Sequence, residues 1–410
     1  MINSNFNTAK QPSALRNGGF LILLVTGGIM ALGNKIYELA LPLILYDMTQ
    51  SSVVMSTMRG IEFLPNLLLA MFIGVWVDRA NKKTWSLIAI GMQAVILFVL
   101  YFSLSRGYAS TSLFYAAGFL LMTFGYAYSN ARVAMVKHSL PAPLLTSANA
   151  LYNFVVTFVG ILGPALSGML LMLPNMHTAL LLTASAFLVA WITLSALRSQ
   201  EERPVHVRSG FWKELRDGWQ ELRSNRLLLT ITIVVVFLNS SAGMVDTTLI
   251  FFAKDTLVLS NAQLGLVLSA AGLGGLVGSL LIGPLKRRFT VGQLISWTVL
   301  GLGLCSVLFS LTQTGWMLFL GLFFLGVLET VNTVSIWTFR QESTPHHLIG
   351  RVSGITGSLF KLGLPFAIMA AGWMTKLSSP QIVFSIAAGM NLLIFAGCML
   401  SPLRTKQTEA

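Results

Sequence analysis

Over 410 residues the chain is 55% hydrophobic and only 10% charged, with a mean hydropathy of +0.75. A water-soluble fold of that composition would leave more apolar surface than its polar residues can cover, so the chain reads as an integral membrane protein. The net charge of +13 does not restore a nucleic-acid reading, because the basic residues lie in short loops between apolar segments, where membrane topology accounts for them.

Apolar stretches of about 20 residues or more, enough to cross a bilayer, fall at roughly 18-46, 51-77, 84-104, 111-137, 146-172 and 177-197, and again at 226-252, 262-285, 290-312, 314-340, 352-376 and 380-402. Met1 to Arg16 is polar, and the apolar stretch after it is too long for a signal-peptide core, so no cleaved leader is expected. Six and six spans imply an all-α membrane protein of twelve transmembrane helices in two six-helix pseudo-repeats. The expected division is 1-198 for an N-terminal six-helix bundle, 199-225 for a cytoplasmic linker and 226-410 for a C-terminal six-helix bundle. In the linker, Phe211, Trp212, Leu215, Trp219 and Leu222 recur at helical spacing among charged residues, the pattern of an amphipathic helix packed on membrane and bundle.

A shift of 204 residues lays Gly278 on Gly74, Lys286 on Lys82, Arg287 on Lys83 and Pro345 on Pro141, while Asp78 falls on Ile282. The chain is thus two copies of one unit, a signature of secondary transporters. With both termini cytoplasmic, twenty Lys and Arg lie on the inner side against Arg106, Lys254 and Lys376 on the outer, an asymmetry that fixes orientation. The expected location is a bacterial cytoplasmic (inner) membrane, multi-pass.

The hinge Gly74-Val75-Trp76-Val77-Asp78-Arg79-Ala80-Asn81-Lys82-Lys83 resembles the loop between helices 2 and 3 of the major facilitator superfamily, with Asn81 where the pattern has Gly. More narrowly, Leu41 to Thr49, Ser147-Ala148-Asn149-Ala150-Leu151, and Gln341 to Val352 with Pro345 and Gly350-Arg351-Val352 resemble the branch containing enterobactin exporters and macrolide efflux pumps. The resemblance implies alternating access around a midplane cavity. It also implies a conformational latch of Gly74, Asp78, Arg79, Lys82 and Lys83, in which Asp78 approaches the start of the eleventh span near Arg351 to Gly354. Gly160, Gly163-Pro164 and Gly168 partly match the superfamily's antiporter motif. Together with Ala271, Gly274, Gly275 and Gly278 they read equally well as small-residue packing.

No phosphate-binding glycine loop follows a strand, so ATP is not the expected energy source and no enzyme activity or cofactor is expected. His346-His347 has no cysteine or carboxylate at ligand spacing, and Cys305 and Cys398 stand alone in apolar segments, so neither a metal site nor a disulfide is expected. The chemistry is expected at the ionisable residues inside the spans, since a charge in hydrocarbon is costly unless paired or wet. These are Lys35, Glu38, Arg59, Glu62, Arg132, Asp246, Glu329 and Lys361. Arg59 and Glu62, three apart, read as a structural bridge. Glu38, Asp246, Glu329, Arg132, Lys361 and Lys35 are the candidates for proton coupling or substrate binding. Glu329 and Lys361 fall at matching depth and are expected to pair or exchange partners. Tyr37, Tyr126, Tyr128 and Trp337 would suit either an anionic siderophore or a lipophilic cation.

The expected function is secondary active export of small amphipathic molecules, a siderophore or a macrolide-like drug, by proton-coupled antiport. The alternatives are a lipid or lysolipid flippase and an uptake transporter of the same fold; a non-transporting sensor would need a soluble domain. The expected partners are the small-molecule substrate, protons and the bilayer, with no nucleic acid and a monomeric chain.

Overall fold

The computed structural model describes residues 14–69, 73, 81–173, 177–197, 211–345 and 349–401. Among these residues the chain is helical throughout, with no strand. The first set of helices is α1 (Gly18–Thr49), α2 (Ser52–Leu68), α3 (Lys82–Ser105), α4 (Thr111–Ser139), α5 (Ala142–Leu170) and α6 (Thr178–Ser195). A short amphipathic helix, α7 (Phe211–Ser224), precedes the second set: α8 (Arg226–Asp255), α9 (Asn261–Lys286), α10 (Val291–Leu311), α11 (Gly315–Ser343), α12 (Ile349–Leu359), α13 (Leu364–Leu377) and α14 (Pro380–Leu400).

Local sequence explains where these helices start. Asn17, Ser51, Asn81, Ser110 and Asn225 each accept a hydrogen bond from a first-turn amide, and Ser260 with Gln263 and Thr290 with Gln293 form capping boxes. Two of the caps expose the repeat. Asn17 caps α1 and donates from Nδ2 to Ser139 O at the end of α4, at 3.1 Å. Asn225 caps α8 and donates to Ser343 O at the end of α11, at 3.0 Å. The helices these asparagines reach, α4 and α11, are 29 residues each.

Among the described residues, ten stretches are long and apolar enough to cross a membrane, α12 and α13 counting together as one. The two remaining predicted spans correspond to α2, described over 17 residues, and to α4, whose course includes Tyr115, Tyr126, Tyr128 and Arg132. Both pack within the bundle, α4 on α3 and α2 on α13. Large apolar side chains such as Phe154, Ile192, Leu280 and Leu393 face outward, which an aqueous environment would penalise and a lipid one would not.

The eleventh predicted span differs from expectation. Rather than running unbroken over 352-376, the chain leaves the helix at Phe360 and re-enters it at Leu364. Pro365 has no N–H to return to Lys361 O, and Gly363 is a poor helix former. Leu364 N–H turns to Lys361 O at 3.3 Å, and the Phe360 carbonyl that it passes over accepts from Asn239 Nδ2 on α8 at 2.8 Å. Irregular backbone at membrane depth survives where protein or a wet cavity satisfies it.

Contacts between the two sets cluster at the end of the bundle away from the basic loops. There Ser52 donates to Gly372 O at 3.1 Å, Asn261 to Leu171 O at 3.1 Å and Tyr46 to Asp255 Oδ1 at 3.3 Å. Glycines let the helices touch. A Cβ on Gly265 of α9 would meet Pro164 O of α5 at 2.5 Å, and one on Gly60 of α2 would meet Met369 of α13 at 2.8 Å. At the basic end, the side-chain bonds of Asn17, Lys83, Asn225, Lys286 and Arg340 all stay within their own set. The bundle is therefore closed at the far end and, among the described residues, not tied across the basic end. Within the second set, Gly274 and Gly278 of α9 abut the α11 backbone at Phe323 and Val327, the packing role anticipated for them.

Candidate functional site

The four charges of α1 and α2 sit together. Arg59 donates from Nη1 to Glu62 Oε2 at 2.8 Å and to the Glu38 carbonyl at 3.0 Å, and its guanidinium lies 5.8 Å from the Phe63 ring. The bridge expected from the spacing is present, with Glu62 fully buried. Lys35 Nζ approaches Glu38 Oε2 at 3.8 Å, with both side chains partly exposed. Thus Glu38 keeps a solvent path that Glu62 lacks.

Three of the remaining charges, Asp246, Glu329 and Lys361, border two cavities between the helix sets. The larger, about 560 Å³, is lined by Glu329, Lys361, Asn239, Asn332, Tyr126 and Trp337 among others. The smaller, about 260 Å³, lies against Arg59, Asp246 and the same Lys361. Lys361 stands in the break between α12 and α13, which explains how one side chain can wall both spaces. Asp246 is solvent-accessible although it lies on α8 between buried neighbours. Among the described residues, Asp246, Glu329 and Lys361 form no ion pair, with each other or with anything else. The expected Glu329 to Lys361 pair is thus absent: matching depth on two straight helices does not survive a break that re-aims one of them.

Arg132 is elsewhere. It is buried with its guanidinium 3.3 Å above the Tyr152 ring, and it lines neither cavity. Tyr37 and Tyr128, expected as aromatic contacts for a ligand, are core residues, Tyr37 with its hydroxyl on Met122 Sδ at 3.6 Å. Tyr126 and Trp337 do face the larger cavity. Sequence reasoning missed Asn66, Asn239 and Asn332, which also line it. Their signal was available, since an amide inside an apolar span is unsatisfied unless it finds a partner or water. Asn332 is held by a bond to Thr298 Oγ1 at 2.7 Å.

Of the latch residues, Gly74, Asp78 and Arg79 lie outside the described residues, as does His346-His347. Lys82 is buried, and Lys83 donates to Ser195 O at 2.8 Å and Leu197 O at 2.6 Å, joining the start of α3 to the end of α6. Cys305 and Cys398 are free and buried. Among the described residues, no His, Cys, Asp and Glu side chains cluster as metal ligands would.

Two helix sets around a charged cavity, closed at one end, match a known family across most of the chain: the model described as Major Facilitator Superfamily aligns with residues 23–368. The chain belongs to the Major Facilitator Superfamily. It is 26% identical over 388 residues to the multidrug efflux pump Tap of Mycobacterium tuberculosis, covering 90% of each chain. It is 24% identical over 336 residues to the enterobactin exporter EntS of Escherichia coli, covering 81% of this chain and 80% of that one. The crystal structure of the nucleoside transporter NupG superposes with a TM-score of 0.78 at 13% identity, over 95% of this chain and 100% of that one, a likeness of fold alone. As a member of this superfamily the chain is a membrane transporter of small molecules and not an enzyme.

Proposed function

We propose that this major facilitator protein is a proton-driven exporter of small amphipathic molecules from the bacterial cytoplasm. One observation carries the reading: Asp246 and Glu329 are carboxylates without an ion-pair partner among the described residues, bordering the cavities between the helix sets. A carboxylate so placed can exchange a proton for a cationic group as the cavity changes sides. Glu38, partly exposed beside Lys35, is the third coupling candidate. The efflux relatives support the outward direction. With twenty cations at the basic end, that end and both termini are assigned to the cytoplasm.

In this assignment the end joined by Ser52, Asn261 and Tyr46 faces outside, and transport rocks residues 1-198 against 226-410 about the linker 199-225. Asp78, with Gly74, Arg79, Lys82 and Lys83, latches the basic end in the opposite state. The test is transport of catecholate siderophores, macrolides and cationic dyes in proteoliposomes under an imposed pH gradient. Glu38→Gln, Asp246→Asn, Glu329→Gln and the triple variant are run alongside, and at least one is expected to abolish gradient-driven transport. If all four transport normally, the coupling ion is not a proton carried by these groups.

A further inference from the structure

The larger cavity presents two opposite charges that do not neutralise each other. Glu329 on α11 and Lys361 at the α12–α13 break both line it, and neither side chain has a hydrogen-bond or ion-pair partner among the described residues. Two such groups in a low-dielectric space would gain most by meeting. The fold holds them apart: Asn239 fixes the break by binding Phe360 O, and Glu329 sits mid-helix on α11. Around them stand amides (Asn66, Asn332) and aromatic faces (Tyr126, Trp337).

We infer that this cavity selects molecules carrying a cationic amine and an anionic group on one apolar frame, with Glu329 taking the amine and Lys361 the anion. A ligand with only a cation would leave the Lys361 ammonium unneutralised in the same space, and a purely anionic one would do the same to Glu329; a zwitterion leaves neither. The positive end of α13 adds to Lys361, since that helix starts three residues later and its cap, Gly363, offers no side-chain acceptor. Asp246, across the smaller cavity, forms no ion pair with Lys361, and Arg59 lies beside it there. The inference rests on the reading of this cavity as the cargo site.

Three xanthene dyes of one frame test it: rhodamine 110 (zwitterion), rhodamine 123 (its cationic methyl ester) and fluorescein (anion). Binding to the purified full-length protein in detergent is read by fluorescence polarisation, with no ion gradient. Rhodamine 110 is expected to bind about tenfold more tightly than either relative. Lys361→Met should raise rhodamine 123 to parity with rhodamine 110, and Glu329→Gln should shift preference toward fluorescein. The wild-type ranking needs no variant, so a variant that fails to fold leaves the test standing. Equal binding of the three dyes, or binding of none, overturns the inference. So does an unchanged ranking in Lys361→Met, which would make Asp246 the standing counter-ion of Lys361. Because the measurement is at equilibrium, a protein that ranks the dyes as expected but does not export them refutes the exporter reading alone. One that exports rhodamine 123 in preference to rhodamine 110 refutes this inference alone.

Discussion

Arg59 is held from two helices, bonded at once to the Glu62 carboxylate on its own and to the Glu38 carbonyl on the neighbouring one. Arg59→Met would leave the buried Glu62 uncompensated and should cost about 3 to 5 kcal/mol, whereas Arg59→Met with Glu62→Gln should recover most of that. Thermal unfolding in detergent distinguishes the cases; equal losses in the single and double variants would mean that the pair contributes nothing. Asn17 and Asn225 allow a second comparison. Each caps a helix and ties it to another, so Asn17→Ala and Asn225→Ala should each lose about 1 kcal/mol or slightly more, and by similar amounts if the two halves are built alike. At this scale the sequence was legible where an interaction is local. Lys35 with Glu38 and Arg59 with Glu62 follow from a spacing of three on one helix. The relation of Glu329 to Lys361 and the burial of Tyr37 depend on the rotation of whole helices, which spacing does not fix.

Helices were read with the same unevenness. Most predicted spans match observed ones, because a bilayer demands long apolar runs and caps mark their ends. The break at 360–363 was not foreseen, although Gly363 and Pro365 were in view, because what makes it tolerable is an amide on α8, more than a hundred residues away. The α5–α9 seam is likewise a property of two helices at once. A methyl group at Gly265 would press on the Pro164 carbonyl at 2.5 Å, where backbone cannot yield. Gly265→Ala should therefore wedge the far end apart. Spin labels replacing Tyr108 and Trp316, both exposed on opposite helix sets at that end, should then report longer distances than in the unwedged protein, with Cys305 and Cys398 first replaced. An unchanged distribution would show that the seam can yield without opening.

For the whole molecule, the fold class and the two-part plan could be read from hydropathy, charge asymmetry and the repeat; which end is closed could not, since one sequence serves both states. The proposed latch makes that equilibrium testable. Asp78→Asn keeps shape but loses charge, so labels replacing Lys137 and Arg287 across the basic end should lose their short-distance population. If that population persists with normal transport, the latch is removed from the account. The repeat itself has a further consequence. α4 and α11 are of equal length and in register at 204 residues, which sets Glu329 opposite Gly125, a notch bordered by Gln93, Tyr37 and Asn34. Two copies inserted the same way round share one polarity across the membrane, so identical copies could tell inside from outside but could not give the two walls of the cavity different chemistry. That difference must come from places where the copies have diverged, and an acid in one copy at the position of a glycine in the other is such a place. The lopsided chemistry of the cavity is a broken symmetry, written in a handful of positions that an exact duplication would have made the same.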